Sequence, residues 1–399
     1  MKEAVEEQGF DKHLKFSTIV NDMHWSTESK TWTVNATGPG EEKLQLRTRV
    51  VYCGTGYYNY DQPLQTEIPG IENFQGTVVH PQFWPESLDY SNKNVVVIGS
   101  GATAITLIPA MVDRVKHITM LQRSPAFIMS VKNNGFMEWL LRLLLPKLLA
   151  HRILRYIYLT FTYSFAHACH RWPLFFRKKM LTAAQKQLPN GVAVDPDFTP
   201  SYNPWDQRLC VCPDGDFYQA LHTGRATVKT GTIDTVTSDS IKLKSGDELK
   251  PDIIVTATGL QLGLLGKIEV TVDGRPFSVP ESHAWQNCML EGLPNVMFTL
   301  GYLDTGSWTL GADVTAVLTC RLLAKAKKNN YTMFYPQRNK QVAAAKDLPL
   351  FHFRSTYIVK GEQNFPKTSD YPEWRSRRDY SVDMKLAKKS DLERDIVWG

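Results

Sequence analysis

Asn94-Val95-Val96-Val97-Ile98-Gly99-Ser100-Gly101-Ala102-Thr103-Ala104 is the stretch whose reading decides the fold. Its first five residues form a short apolar run without alternation, the pattern of a parallel strand buried on both faces. Gly99 then permits a tight turn, and Gly101 lets the backbone approach a pyrophosphate. Ala104 lets the following helix lie close to the sheet. That helix is predicted over 102–112, its opening amides facing the phosphates, and the next strand over 117–121. Strand, turn, helix and strand make one βαβ unit that binds a nucleotide. A glycine turn with only a packing role is the plainer alternative; the strand before and the helix after favour the nucleotide.

An NAD or FAD site places an acid about 20 residues further on, where it accepts from ribose hydroxyls. Here the second strand ends Leu121-Gln122-Arg123-Ser124-Pro125, with no acid. The guanidinium of Arg123 is a fork of donors suited to a 2′-phosphate, so NADP(H) is the expected nucleotide. The bland alternative is a surface arginine beside a proline turn.

Working outward, strands are expected at 14–25 and 31–36, with a third ending at 49–53. Residues 61–90 carry six prolines and glycines and read as an ordered connector. Residues 136–182 interrupt the α/β pattern with two or three helices rich in Leu, Tyr, Phe and Arg. Short strands resume at 226–228, 233–236, 241–243, 253–256 and 296–299, followed by a helix over 310–327. Beyond 345 no periodicity is evident. One internal echo stands out, Val34-Asn35-Ala36-Thr37-Gly38 against Val255-Thr256-Ala257-Thr258-Gly259.

Composition narrows the class. The 399 residues are 43% hydrophobic and 22% charged, a globular balance with size enough for two domains. A net charge of +6 without a compact basic stripe argues against nucleic acid. The six cysteines lack metal-ligand spacing and read as free thiols in a reducing compartment, so no metal is expected. No CxxC pair exists to carry dithiol chemistry, which disfavours a disulfide reductase. The charged N-terminus has no signal-peptide core, and the expected location is the cytoplasm.

Residues 74–85, Phe74-Gln75-Gly76-Thr77-Val78-Val79-His80-Pro81-Gln82-Phe83-Trp84-Pro85, resemble the fingerprint of class B flavoprotein monooxygenases, which include the Baeyer–Villiger monooxygenases. The segments 202–208 and 213–217, Gly301-Tyr302, Ser307–Leu310 and the tail around Phe365-Pro366, Trp374 and Tyr380 are similar to the ethionamide-activating subgroup. The resemblance runs through nearly the whole chain. It implies FAD and NADP(H) as cofactors, O₂ and a small apolar organic substrate. The implied chemistry is oxygen insertion into a ketone, or oxidation of sulfur or nitrogen, through a C4a-(hydro)peroxyflavin.

Set against that family, the chain shows no first glycine fingerprint for FAD. The fold expected is therefore α/β with two dinucleotide-binding, Rossmann-like domains, the FAD domain N-terminally truncated and the NADP domain carrying the helical insertion. Residues 1–90 are read as a remnant of the FAD-binding domain with the interdomain connector, and 91–255 as the NADP(H)-binding domain including insertion 136–182. The FAD-binding domain returns over 256–330, and 331–399 is a tail packing on both. Activity of the chain alone is placed in doubt by the missing motif, the alternative being a degenerate NADP(H)-binding relative without oxygenation.

The resemblance further implies roles. Arg208 is expected to be the catalytic cation that stabilises developing oxyanion charge. His80 is placed with it at the catalytic site, acting through nicotinamide binding and domain orientation rather than as an acid or base. Phe74, Gly76, Trp84 and Pro85 are expected to couple the domains. Gly99, Ser100, Gly101, Ala102, Thr103, Ala104 and Arg123 hold NADP(H), while Thr258, Gly259, Trp308, Thr309 and Leu310 approach the flavin. The basic, aromatic insertion 136–182 is expected to rest on a membrane surface without crossing it, or to fold over the substrate cavity as a lid.

Overall fold

The computed structural model describes residues 2–133, 135–207, 209–301, 307–351 and 355–399. Its central feature is a parallel five-stranded sheet in the spatial order Ala226–Thr230, His117–Gln122, Asn94–Ile98, Ile253–Thr256, Thr77–Val79. Val95 and Val97 point to one face, where they pack with Ile105, Ile108 and Met111 of the helix Ala102–Met111 and with Phe217 and Tyr218. Val96 and Ile98 point to the other, under an antiparallel three-stranded layer formed by Ile233–Val236, Ile241–Leu243 and Glu248–Leu249. Burial on both faces is why the strand carries no polar alternation.

The early strands Ile19–Ser26, Thr31–Thr37 and Lys43–Thr48 belong to a second sheet, in the order Arg275–Pro276, Glu269–Val272, 19–26, 31–37, 43–48. The strand Ile19–Ser26 runs parallel to Glu269–Val272, with Met23 opposite Val270. Trp25 and Trp32 are buried against Val296, Phe298 and Leu293, and the Trp32 indole donates to the Pro294 carbonyl at 3.0 Å. This pairing corrects the reading of residues 1–90 as a remnant: the early strands find their partners within the chain, and the expectation of an N-terminally truncated FAD domain, drawn from the missing glycine fingerprint, is withdrawn. The echo at 34–38 is corrected too, because it lies in an antiparallel strand of this outer sheet.

Val51–Cys53 instead runs parallel to Val296–Phe298 and ends in Gly54-Thr55-Gly56. From there Tyr58–Pro63 pairs antiparallel with Leu260–Leu262, so the two passages between domains lie side by side. The insertion consists of the helices Phe136–Leu144, Lys147–Arg171 and Pro173–Gln185. It leaves and rejoins the body between Ile128–Val131 and Cys210–Pro213, which pair in parallel. Among the described residues no helix is long and apolar enough to cross a membrane.

The tail is ordered, although nothing periodic announces it. Its helix Tyr380–Lys389 packs on the long helix Trp308–Lys328, and Ile396–Trp398 pairs with Phe334–Pro336. Arg377 bolts it down, donating to the carbonyls of Gln286, Leu300 and Gly311 and to the Thr315 hydroxyl at 2.8–3.1 Å. Arg377→Ala leaves those buried acceptors unmet and is expected to cost about 2–4 kcal/mol. Arg377→Lys, which keeps the charge without the fork, should recover less than half of that loss. Urea denaturation checks both, and a midpoint unchanged in the alanine variant would show the anchor to be dispensable.

Candidate active site

The turn after Asn94–Ile98 lies at the carboxyl edge of the parallel sheet, where open α/β sheets receive their ligands. Gly99 adopts φ +135°, and a Cβ there would stand 2.2 Å from the Ala257 carbonyl oxygen. Only glycine satisfies both demands. A Cβ on Gly101 would meet nothing within 4 Å, so no protein neighbour accounts for that glycine. It is the N-cap of the helix Ala102–Met111, has no side-chain cap, and leaves the amides at Ala102 and Thr103 at the open edge. Ala104 is fully buried beneath them. The bare cap and the open face fit a pyrophosphate.

Arg123 stands at the end of the neighbouring strand. Ser100 donates to the Ser124 carbonyl at 3.2 Å, and the Gly99 amide donates to the Leu121 carbonyl at 2.8 Å, so turn and arginine share one corner. The exposed guanidinium reaches the Thr356 hydroxyl of the tail at 3.3 Å.

His80 occupies the crossing between domains. Its Nδ1 accepts from the Gln82 amide at 3.2 Å, which leaves the hydrogen on Nε2 to be donated to the Gly259 carbonyl at 3.3 Å. Burial holds its pKa below the usual histidine value, against a smaller opposing effect of the Gly259 bond. Gln82 donates to the Asn59 carbonyl at 2.7 Å, and Asn59 donates to Gln261 at 2.9 Å. Three chain passages are thereby tied together. Asn59, Gln82 and Gln261 went unnoticed in the sequence, where single amides on a connector carry no pattern.

The fingerprint residues divide. Phe74 is buried with its ring over Gly76, where a Cβ would lie 2.5 Å from the ring. Trp84 packs edge-on to Tyr90 at 6.0 Å and against the nucleotide-domain core, and the Pro85 carbonyl accepts from the Leu88 amide. A depression of 530 Å³ lined by Trp84, Tyr90 and Arg114 adjoins them. It lies toward the amino ends of the strands, opposite the ligand edge.

Thr258 and Gly259 follow the strand Ile253–Thr256, with Gly259 at φ +113°. Thr55 and Gly56 (φ +71°) follow Val51–Cys53 in the same way, and this is the true internal counterpart. Tyr57 stacks on Trp308 at 4.7 Å with the rings 4° from parallel. The amides of Thr309 and Leu310 donate to the side chain and carbonyl of Ser307, so both already have partners. Arg208 lies outside the described residues. Among the described residues no group of His, Cys, Asp or Glu is arranged to hold a metal.

A family model for flavin-binding monooxygenase-like (FMO-like) proteins matches residues 1–171. Over 398 residues the chain is 38% identical to the FAD-containing monooxygenase EthA of Mycolicibacterium smegmatis, covering 100% of this chain and 80% of that protein. It is 39% identical over 386 residues to EthA of Mycobacterium tuberculosis, covering 96% and 78% respectively. The chain belongs to the flavin-binding monooxygenases. A probable FAD-binding monooxygenase AlmA of Acinetobacter baylyi is 38% identical over 398 residues, covering 100% of this chain and 79% of that protein. In fold, the crystal structure of OTEMO with FAD and NADP agrees at a TM-score of 0.72 and 17% identity, covering 100% of this chain and 84% of that one. Oxidised steroid monooxygenase bound to NADP agrees at 0.70 and 14%, covering 100% and 83%.

As a member of that family this chain is a FAD-dependent monooxygenase, and the two structures it resembles in fold bind NADP as well. The expected degenerate relative, deprived of its FAD unit, is withdrawn: the match runs through the whole chain, its first residues included. The doubt about enzyme activity rested on that unit and goes with it.

The depressed His80 pKa makes a pH prediction. Its folded value lies below the unfolded one near 6.5, so the stability from neutral His80 is present above about pH 6.5 and lost as pH falls through the folded pKa. Protonation also destroys the Nδ1 acceptor used by Gln82. His80→Gln should therefore flatten the decline of the urea midpoint on the acid side of about pH 6.5. An unchanged slope would remove His80 from the acid response.

Proposed function

We propose that this enzyme is an NADPH-specific monooxygenase that inserts oxygen beside the carbonyl of an apolar ketone, or oxidises a sulfur or nitrogen compound. In this reading 1–90 and 256–330 serve FAD, 91–255 serves NADP(H), and the tail 331–399 closes over both. The observation that carries it is Arg123 held at one corner with the uncapped Gly99–Ala104 turn, which gives a pyrophosphate its amides and a 2′-phosphate its cation.

Bound FAD, reduced by NADPH, supplies the activation of O₂. The chain supplies position and charge. Arg208 is assigned the permanent cation beside the reacting oxygen, where it stabilises developing negative charge. His80 holds the crossing through Gly259, acting on domain orientation rather than carrying a proton. Thr258, Gly259 and the Trp308–Leu310 turn are assigned to the flavin edge, and Tyr57 with Trp308 offers a flat apolar wall. Five buried cysteines and one exposed, all free, support residence in the cytoplasm. Peripheral contact of the insertion with a membrane surface belongs to the same reading.

Two variants test it. Arg123→Ala should raise the KM for NADPH by about tenfold or more, roughly 1.4 kcal/mol, while leaving NADH kinetics nearly unchanged. Equal losses with both nucleotides would remove the phosphate role. Arg208→Ala should keep NADPH oxidation but release hydrogen peroxide in place of ester from a methyl ketone or sulfoxide from a thioether. Continued coupled product formation would exclude Arg208 as the cation.

A further inference from the structure

We infer that the helix Phe136–Leu144 inserts into an anionic lipid surface as the enzyme's membrane-contacting element. The inference rests on the peripheral contact proposed above and names its site and its lipid. The helix is amphipathic: Glu138 and Arg142, one turn apart, mark a polar face, and the other seven residues, Phe, Met, Trp and four Leu, are apolar. On an ordinary surface helix the apolar stripe faces the core.

Here the apolar side chains face outward, and of the polar pair Glu138 is covered while Arg142 stays exposed. The Glu138 side chain is only 17% exposed and turns inward, accepting from Arg142 at 2.6 Å and from the Tyr158 hydroxyl of the next helix at 3.3 Å. Phe136, Met137, Trp139, Leu143 and Leu144 are 58–73% exposed. Leu148, Leu149, Tyr156 and Phe161 extend the apolar surface along the next helix, and Trp172, Leu174 and Phe175 add a second exposed cluster. Exposed apolar side chains gathered on neighbouring helices in this number mark a partner.

Charge selects which partner. Residues 136–182 hold eight Lys and Arg against the single Glu138, a net +7 in a chain whose total is +6. Arg177 is spent inside the fold on the carbonyls of Pro200 and Tyr202, and Arg155 is paired with Asp313. Lys147, Arg152, Arg171, Lys178 and Lys179 are exposed beside the aromatics, Arg171 lying over Trp172 and Lys179 over Phe175. A second copy would bring the same positive charge against itself. An anionic bilayer offers the complementary charge and an apolar interior, and tryptophan with basic residues is the composition of an interfacial segment. At nine residues the helix is about 13 Å long, so it lies in the interface without spanning it.

The test uses the full-length holoenzyme and vesicles of phosphatidylcholine with or without phosphatidylglycerol, at low and high salt. The wild-type enzyme is expected to float with the anionic vesicles at low salt, to be released by high salt, and to show quenching of Trp139 by brominated lipid, measured as the difference from Trp139→Phe. Combined Phe136→Ser, Trp139→Ser and Leu143→Ser should weaken vesicle binding by about tenfold or more. The same variant should keep NADPH oxidation with a water-soluble substrate, which shows it folded. Failure of the wild type to bind anionic vesicles at low salt overturns both this inference and the contact reading. Binding that survives the triple variant, with Trp139 unquenched, overturns the helix and leaves the contact reading standing. A wild-type dimer that the triple variant dissociates, with no vesicle binding, makes the face a self-interface and overturns the proposal.

Discussion

The nucleotide edge of the molecule depends on two backbones meeting. Where the chain leaves Asn94–Ile98 it must pass the end of Ile253–Thr256 so closely that a Cβ on Gly99 would sit 2.2 Å from the Ala257 oxygen. That contact sets the direction of the helix that follows and brings its bare N-terminus to the strand ends. It also means the Gly99 turn is built against Ala257, where the chain leaves Ile253–Thr256 for the crossing. A displacement of either passage is felt by the other, because packed backbone has no side chain to yield.

The link between domains follows from the same crowding. The strands Tyr58–Pro63 and Leu260–Leu262 cross together, and the His80–Gly259 and Gln82–Asn59–Gln261 bonds stitch the fingerprint segment onto both. The fingerprint thus splits by physical task. Phe74 with Gly76, and Trp84 with Tyr90, are packing contacts that fix the connector, while His80 and Gln82 bond to the crossing backbone at Gly259 and Asn59. A neutral histidine with both nitrogens engaged is poorly placed to shuttle protons and well placed to hold a geometry.

What the sequence revealed was local. The βαβ unit was legible because its signals, a continuous apolar run and a glycine turn, lie within a few residues of each other. The partnership of Ile19–Ser26 with Glu269–Val272 was not, because nothing in either segment names the other across the intervening chain. Residues 1–90 therefore read as a remnant, although their strands are paired within the chain. The echo misled for a related reason. Val34–Gly38 matches Val255–Gly259 in letters but sits in an antiparallel outer strand, whereas Thr55-Gly56 matches it in place, after a parallel strand. The tail had no period to read, since it is held by non-local contacts, among them one arginine reaching four acceptors on distant segments. Within the basic insertion Arg177 is turned inward by contacts that no local pattern announces, the carbonyls of Pro200 and Tyr202.

The insertion shows how a charged, aromatic surface is held to the body by a few side-chain clasps. Its middle helix, Lys147–Arg171, has 25 residues and so spans about 37 Å, enough to reach from the outward-facing apolar surface into the body of the enzyme. Along it Arg155 pairs with Asp313 at 2.7 Å, and Tyr380 donates to the same carboxylate at 2.6 Å, locking the insertion to the helix Trp308–Lys328 and to the tail. Further on, Phe165 meets Trp205 edge-on at 6.2 Å, three residues before Arg208. Exposed aromatics lie along the helix and just beyond it, Tyr156, Phe161 and Trp172 among them, so the insertion is held by a polar clasp at Arg155 and a ring contact at Phe165 while its outer side stays bare.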